Sequence, residues 1–383
     1  MVHKFSIIDE RDIEEGLTTD IYFLRTEEIL KAKNINPYVV AEVTFSDDKW
    51  GILTGIEDVA KLLEGKSLDV YGMEEGTLFY PKEPVLRICG KYLEFARFET
   101  ALLGLLCHSS GIATKAARIK AIAGDMPVIS FGSRRQHPAM ALIIERSAYI
   151  GGMDGISNVA AGKMLGIEAT GTIPHALIIC FGDQKTAFKA FDEVIPGDVK
   201  RICLCDTYSD EKEEALMAFE ALGDRLDYVR FDSPSSRKGN FRKIIEEVRW
   251  ELDIRGGEDI KIFVSGGIDE EDIIELRDVV DGFGVGSSVS NAKAINFALD
   301  LVEKEGVPCA KRGKYGGKKQ VYRNWDTLKD EIKLEKVEKP EKMEPLLIPI
   351  IRDGVIVSDF SLTKARERVL MQLEKIREKG FML

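Results

Sequence analysis

Two Gly-rich turns near the end of the chain constrain its fold more than any other feature. KIFVSGGIDEEDI runs from Lys261 to Ile273, and DGFGVGSSVSNAKAI from Asp281 to Ile295. Each predicts a short apolar strand, a Gly-rich turn and the start of a helix, so that backbone N–H groups and a helix N-terminus face one anion. The turns lie about 20 residues apart, the spacing of adjacent βα units in a parallel barrel, where a phosphate site after the last two strands recurs. A single Gly after a buried strand often only makes a tight turn. Two in succession, with Ser265, Ser287 and Ser288 adding hydroxyl donors, point to a phosphate cup at the C-terminal face of a barrel.

At 383 residues the chain is expected to hold two or three domains. An apolar content of 44% with 31% charged residues fits a globular protein with a large core. The formal net charge of -11 argues against nucleic acid as a partner, because no domain-wide basic field would attract a polyanion. A phosphorylated ligand must then be held by local Arg, Lys and backbone donors. Six cysteines, at 89, 107, 180, 203, 205 and 309, show no paired CxxC spacing, so neither a disulfide framework nor a zinc module is indicated. The N-terminus is too acidic for a signal peptide, and no apolar run reaches the ~20 residues that span a membrane. A cytoplasmic protein with no membrane partner is the expectation.

Residues 1–100 mix β-like stretches, PYVVAEVTF and GTLFYPKEPVLRI, with the helical IEDVAKLLEG. A long helical segment follows, with an interruption expected near Ser109 to Gly111. Strand-sized apolar runs then alternate with helices: PVISF, YIGGM, EATGT, RICLC, LDYVRF, KIFVS and DGFGV. That alternation implies a parallel sheet covered by helices. The expected class is α/β, an irregular (β/α) TIM-like barrel with a smaller N-terminal α+β sandwich domain and a C-terminal extension; a doubly wound open sheet is the alternative. The expected domains are 1–100, a catalytic barrel over 101–302, and an extension over 303–383 packing on the N-terminal domain. Within that extension, DEIKLEKVEKPEKMEP reads as a solvated linker and Ser361 to Gly380 as a helix opened by Ser and closed by Gly.

The stretch from Phe131 to His175 is richest in chemistry. PVISF leads into Arg134, Arg135 and His137, a cationic set where a barrel strand opens to the active-site face. Ser157 is a candidate cap for the next helix. Thr172 and His175 lie just past a strand end. Further along, Asp206 and Asp232 close two more strands, placed either to hold Mg2+ against a pyrophosphate or to orient ribose hydroxyls. Arg230 offers a planar fork to a carboxylate or phosphate.

In order along the chain, LTTDIYF, FGSRRQHP, GGMDGISNVAAGKMLGIEATGTIPH, LCDTYS, VRFDS, SGGID and GFGVGSS resemble the nicotinate phosphoribosyltransferases of the type II phosphoribosyltransferase superfamily. The resemblance covers roughly residues 10 to 325, its most specific part being the central GISNV…GT..H run. It implies a reaction of nicotinate with phosphoribosyl pyrophosphate (PRPP) that gives nicotinate mononucleotide and pyrophosphate, on the salvage route to NAD. It implies ATP as a co-substrate through a phosphohistidine at His175, with Mg2+ bound to the pyrophosphate. Tyr22, Thr172 and Arg230 match nicotinate contacts, with Tyr22 stacking on the pyridine ring. Ser287 matches a PRPP contact, with Gly266, Gly267 and Gly286 supplying backbone donors. Arg134, Arg135 and His137 would neutralise departing charge. Relatives in this family form dimers with composite sites, so a homodimer or higher homo-oligomer is expected. The family's C-terminal region can carry a metal-binding cysteine cluster; here only Cys309 lies beyond residue 300, so no cysteine-ligated zinc is expected.

Three alternatives stay open on the residues alone. A quinolinate phosphoribosyltransferase would need more cations for a second carboxylate. A phosphate-binding barrel isomerase or aldolase would need a general base and no PRPP. A non-catalytic regulator would bind PRPP without turnover.

Overall fold

Short, mainly apolar strands form a parallel sheet that is covered on its faces. The computed structural model describes residues 5–46 and 49–378. It divides into two compact units, one comprising Met1–Ala117, Ile150–Gly152 and Lys293–Leu383, the other Arg118–Tyr149 and Met153–Ala292. The cuts differ from those expected at 100 and 302, since the first falls inside the continuous helix Glu99–Ala123.

The first unit is built on a seven-stranded sheet whose neighbours all run antiparallel. Within it, Tyr38–Phe45 lies between Phe297–Lys304 and the central strand Pro84–Lys91. Ile348–Arg352 pairs with Leu68–Gly72, so a C-terminal segment completes the N-terminal sheet. The core gathers Ile56, Leu63, Val70, Ile88, Leu102 and Ile351. Phe45 meets Phe79 edge-on at 5.3 Å, and Phe79 meets Phe297 at the same distance.

Two expectations for this unit need correction. The long helix is not interrupted at Ser109 to Gly111. The Ser110 hydroxyl accepts from Thr54 N and donates to Thr54 O, and Thr114 Oγ1 accepts from Ile52 N. Polar residues that read as a break are thus used to dock a buried chain segment. The expected linker is also structured: Lys329–Leu334 pairs with Lys319–Asn324, and Glu344–Pro345 joins on the other side. Its charges sit on an exposed edge strand, where they discourage further pairing. The C-terminal helix is Leu362–Glu378; its expected closing Gly380 lies outside the described residues.

The second unit carries a curled, half-barrel sheet of six parallel strands in the order Gly155–Ile156, Val128–Ser130, Gly282–Val285, Lys261–Val264, Tyr228–Phe231, Ile202–Leu204. Ala169 adds one isolated parallel bridge to Ile156. No strand pairing among the described residues joins the two edges. YIGGM is not a strand: Tyr149 and Ile150 finish the helix Ala141–Ile150, and the strand forms five residues later at Gly155–Ile156. The apolar residues of ALIIERSAYI repeat at helical spacing, which overrides the β-like look of its last turn.

Candidate active site

Parallel strands place all their C-terminal ends on one edge of the sheet, so residues just past those ends converge. Thr172 precedes the helix His175–Phe181, whose first residue is His175. Asp206 and Thr207 follow Ile202–Leu204, while Asp232 and Ser233 follow Tyr228–Phe231. Ser265, Gly266 and Gly267 follow Lys261–Val264, and Gly286 caps the short helix Ser287–Ser290 after Gly282–Val285.

Arg230 is the hub. Its Nε donates to Ser265 Oγ at 2.9 Å, one terminal nitrogen donates to Thr172 Oγ1 at 2.6 Å, and the other lies 3.4 Å from Asp232 Oδ1. The guanidinium stands 5.2 Å from the Phe131 ring centroid, a cation–π distance. Burial pulls its pKa below the usual arginine value, against the pull of Asp232 and Asp206, and the charge of Arg134 lowers it further. Ser265 relays the arrangement by donating to Asp232 Oδ1 at 2.8 Å.

The two carboxylates form a second layer. Asp206 Oδ2 accepts from Asp232 N at 2.6 Å and from Ser233 Oγ at 2.9 Å. Its Oδ1 is buried without a hydrogen bond and lies 3.7 Å from His175 Nε2. Burial raises the Asp206 pKa, offset by those two hydrogen bonds and by His175. Asp232 Oδ2 is 4.0 Å from the same Nε2, and Thr207 Oγ1 is 3.0 Å from His175 Nδ1.

The Gly turns press on this cluster. Gly266 has φ +85°, and a Cβ there would stand 3.0 Å from the Asp232 backbone carbon and 3.1 Å from its Oδ1, so only glycine lets the turn close over that carboxylate. Lys238 Nζ donates to Gly266 O at 2.9 Å. Gly132 similarly permits the loop after Val128–Ser130 to meet the Ser287–Ser290 turn, since a Cβ would come within 2.8 Å of Ser290 Cβ. Gln136 then donates to Asn291 at 2.6 Å.

The structure thus brings Thr172, His175, Asp206, Arg230, Asp232, Ser265 and Gly266 into one cluster. Gly267, Gly286, Ser287 and Ser288 lie in the turns at the same sheet edge, with Gly267 and Ser287 exposed. Arg134 and Arg135 are exposed in a short 3-10 turn after Val128–Ser130. His137 uses its Nδ1 to accept from Ala139 N at 3.2 Å, capping the next turn. Asn158, not Ser157, caps the helix Val159–Leu165, because its Oδ1 accepts from Ala161 N at 3.0 Å. Tyr22 belongs to the other unit, more than half exposed, with its hydroxyl donating to Asp20 at 3.3 Å. Sequence reasoning missed Phe131 beneath Arg230, Lys238 on the Gly266 carbonyl, and Glu214 behind Thr207. The basic pair Arg237–Lys238 just past the strand Tyr228–Phe231 was the one available signal, for Lys238.

Known proteins share this fold. The family described as "Quinolinate phosphoribosyl transferase, C-terminal domain" matches residues 112–300, and its N-terminal-domain counterpart matches residues 20–110. A solved nicotinate-nucleotide pyrophosphorylase from Pyrococcus furiosus is 53% identical, with 100% of each chain covered and a TM-score of 0.97. Human nicotinic acid phosphoribosyltransferase shares the fold at 22% identity, covering 93% of each chain with a TM-score of 0.75. A nicotinate phosphoribosyltransferase of Mycobacterium tuberculosis is 35% identical over 338 residues, spanning 82% of this chain and 73% of that one. These matches place the chain among the phosphoribosyltransferases of the type II superfamily. Within it, the chain belongs to the nicotinate phosphoribosyltransferase family.

Proposed function

We propose that the protein transfers the phosphoribosyl group of PRPP to the ring nitrogen of nicotinate, giving nicotinate mononucleotide and pyrophosphate in NAD salvage. The observation that carries this reading is Arg230, half-buried and braced by Thr172, Ser265 and Asp232 beside two carboxylates and two Gly turns. A guanidinium has five N–H donors, and these contacts leave donors for a ligand carboxylate. Arg230 is the largely enclosed guanidinium of the cluster, with its side chain 14% exposed, while Arg134 and Arg135 are exposed, which favours a monoacid over quinolinate with its second carboxylate. The half-barrel is read as an irregular (β/α) TIM-like barrel carrying this site.

In the reaction the nitrogen lone pair forms the new bond to ribose C1 while the C1–O bond breaks and its electron pair leaves with pyrophosphate. The protein's part is orientation and charge neutralisation. Ser265, Ser287, Ser288 and the backbone of Gly266, Gly267 and Gly286 hold the phosphoribosyl moiety. Arg134, Arg135 and His137 meet the departing pyrophosphate. Among the described residues no group of three or more His, Cys, Asp or Glu is arranged to hold a metal. The unbonded Asp206 Oδ1 and the neighbouring Asp232 suit Mg2+, which takes one or two carboxylates and completes its shell with substrate oxygens. When bound, that ion would neutralise pyrophosphate charge.

ATP is the proposed co-substrate. With Nδ1 engaged by Thr207, His175 Nε2 is the nitrogen open to a γ-phosphoryl group: the P–N bond forms as the P–O bond to ADP breaks. Tyr22 is the proposed stacking partner of the pyridine ring, and the assembly a homodimer or higher homo-oligomer, to be tested by light scattering.

The deciding experiment incubates the protein with PRPP, Mg2+ and either nicotinate or quinolinate. Pyrophosphate and nicotinate mononucleotide from nicotinate support the reading. Product with CO2 release from quinolinate alone transfers the assignment to the decarboxylating enzyme, and no PRPP-dependent product removes both. Faster product formation with ATP, with label from γ-phosphate retained in wild type and lost in His175→Asn, supports the coupling; neither effect ends that part of the claim.

A further inference from the structure

Thr207, Tyr208 and Ser209 leave the strand Ile202–Leu204 with three successive backbone N–H groups aimed at one acceptor. Glu214 Oε2 accepts from Thr207 N at 2.8 Å, and Oε1 accepts from Tyr208 N and from Ser209 N at 2.7 Å. Gln184 Nε2 also donates to Oε1 at 2.6 Å. Glu214 lies on the helix Glu211–Leu222 and is fully buried. Consecutive N–H groups of this kind form an anion-binding concavity. Here the chain fills it with its own carboxylate, so this strand end does not offer a phosphate cup.

The two segments that Glu214 grips both lead to His175. Thr207, whose N–H it holds, places its hydroxyl 3.0 Å from His175 Nδ1. Gln184 opens the helix Gln184–Val194, just beyond Gly182, which ends the helix that His175 begins. Four hydrogen bonds converging on one fully buried side chain make a stiff support, since each donor would otherwise be left unpaired away from water.

We propose that Glu214 is a positioning residue for His175. It fixes the Thr207–Ser209 turn, which sets the imidazole with Nδ1 on Thr207 and Nε2 toward Asp206 and Asp232. The catalytic consequence rests on the function proposed above; the effect on the ring does not. Glu214→Gln keeps the side-chain size but replaces an acceptor oxygen with an amide nitrogen facing N–H donors. Thr207→Val leaves the Glu214 clamp intact and removes only the hydroxyl that touches the ring.

The test measures steady-state kinetics of both variants and the ring signals of His175 by NMR, assigned with His175→Asn. A slightly displaced reacting group costs on the order of 10–100-fold, so kcat is expected to fall by about that factor in both variants with KM for nicotinate unchanged. Thr207→Val should keep the wild-type Tm, and both variants should move the His175 ring resonances. Unmoved His175 signals in both, or a Glu214→Gln defect that Thr207→Val does not share, overturns the proposal. If the wild type itself forms no nicotinate mononucleotide, the proposed function fails while the NMR comparison still decides the role of Glu214.

Discussion

Arg230 shows how one side chain can be legible in type but not in setting. Its place at a strand end, two residues before Asp232, marks it as a site residue from sequence. Its bracing by Thr172, 58 positions away, and by Ser265, 35 away, is purely tertiary. Arg230→Ala should reduce kcat/KM for nicotinate by about 1–3 kcal/mol or more, the scale of a lost charge-assisted hydrogen bond; unchanged kinetics would refute the assignment. At the opposite turn, Ser287→Asp places a like charge in the proposed phosphate cup. Calorimetry should then detect no PRPP binding, and retained affinity would move the cup elsewhere. Most of the site residues legible in the sequence share a rule: they sit at or just past the end of a short strand, as Asp206, Arg230, Asp232 and Ser265 do. Glu214 and Lys238 broke that rule because they reach back from helices, where a Glu or Lys looks like any solvated residue.

At the scale of elements, the parallel strands were legible where apolar runs were short and bounded by Gly or Asp. Gly155–Ile156 was not, because two residues give no period to read and the preceding helix carries the stronger apolar signal. Helix caps are similarly local but sensitive to a one-residue shift. The helix Val159–Leu165 starts from Asn158, whose side chain bonds Ala161 N. Asn158→Ala should therefore lower stability by about 1 kcal/mol, the usual cost of a lost N-cap, read as a fall in Tm. Ser157→Ala should leave Tm nearly unchanged, and the reverse order would return the cap to Ser157.

Stability of the whole molecule should carry a pH signature from the first unit. Glu83 is buried, accepts from Tyr80 N at 2.8 Å, and is pushed up to about 9 by burial and by the charge of Asp330. Asp330 in turn is bonded by the fully buried Arg323, which also reaches Gln372 of the C-terminal helix. An unfolded glutamate releases its proton near pH 4.3, so between about 4.3 and about 9 the folded state holds a proton that the unfolded state has lost. Stability from this group is complete below that window and declines as pH rises through it. Glu83→Gln imitates the protonated form and should flatten the decline: Tm above wild type at pH 8, with no difference near pH 4. A parallel pH dependence in wild type and variant would exclude Glu83 as its source.

What the sequence determined by itself was the order of its chemistry: alternating strands and helices, two Gly-rich turns, and cations and carboxylates at successive strand ends. These are local facts, set by apolar period and by Gly after a strand. The tertiary structure decided what no local pattern encodes. Residues 348–352 complete a sheet begun near residue 38, because an antiparallel edge accepts any strand of matching pattern, however distant. A buried glutamate on one helix sets a turn beside His175 because three backbone N–H groups, removed from water, must find an acceptor.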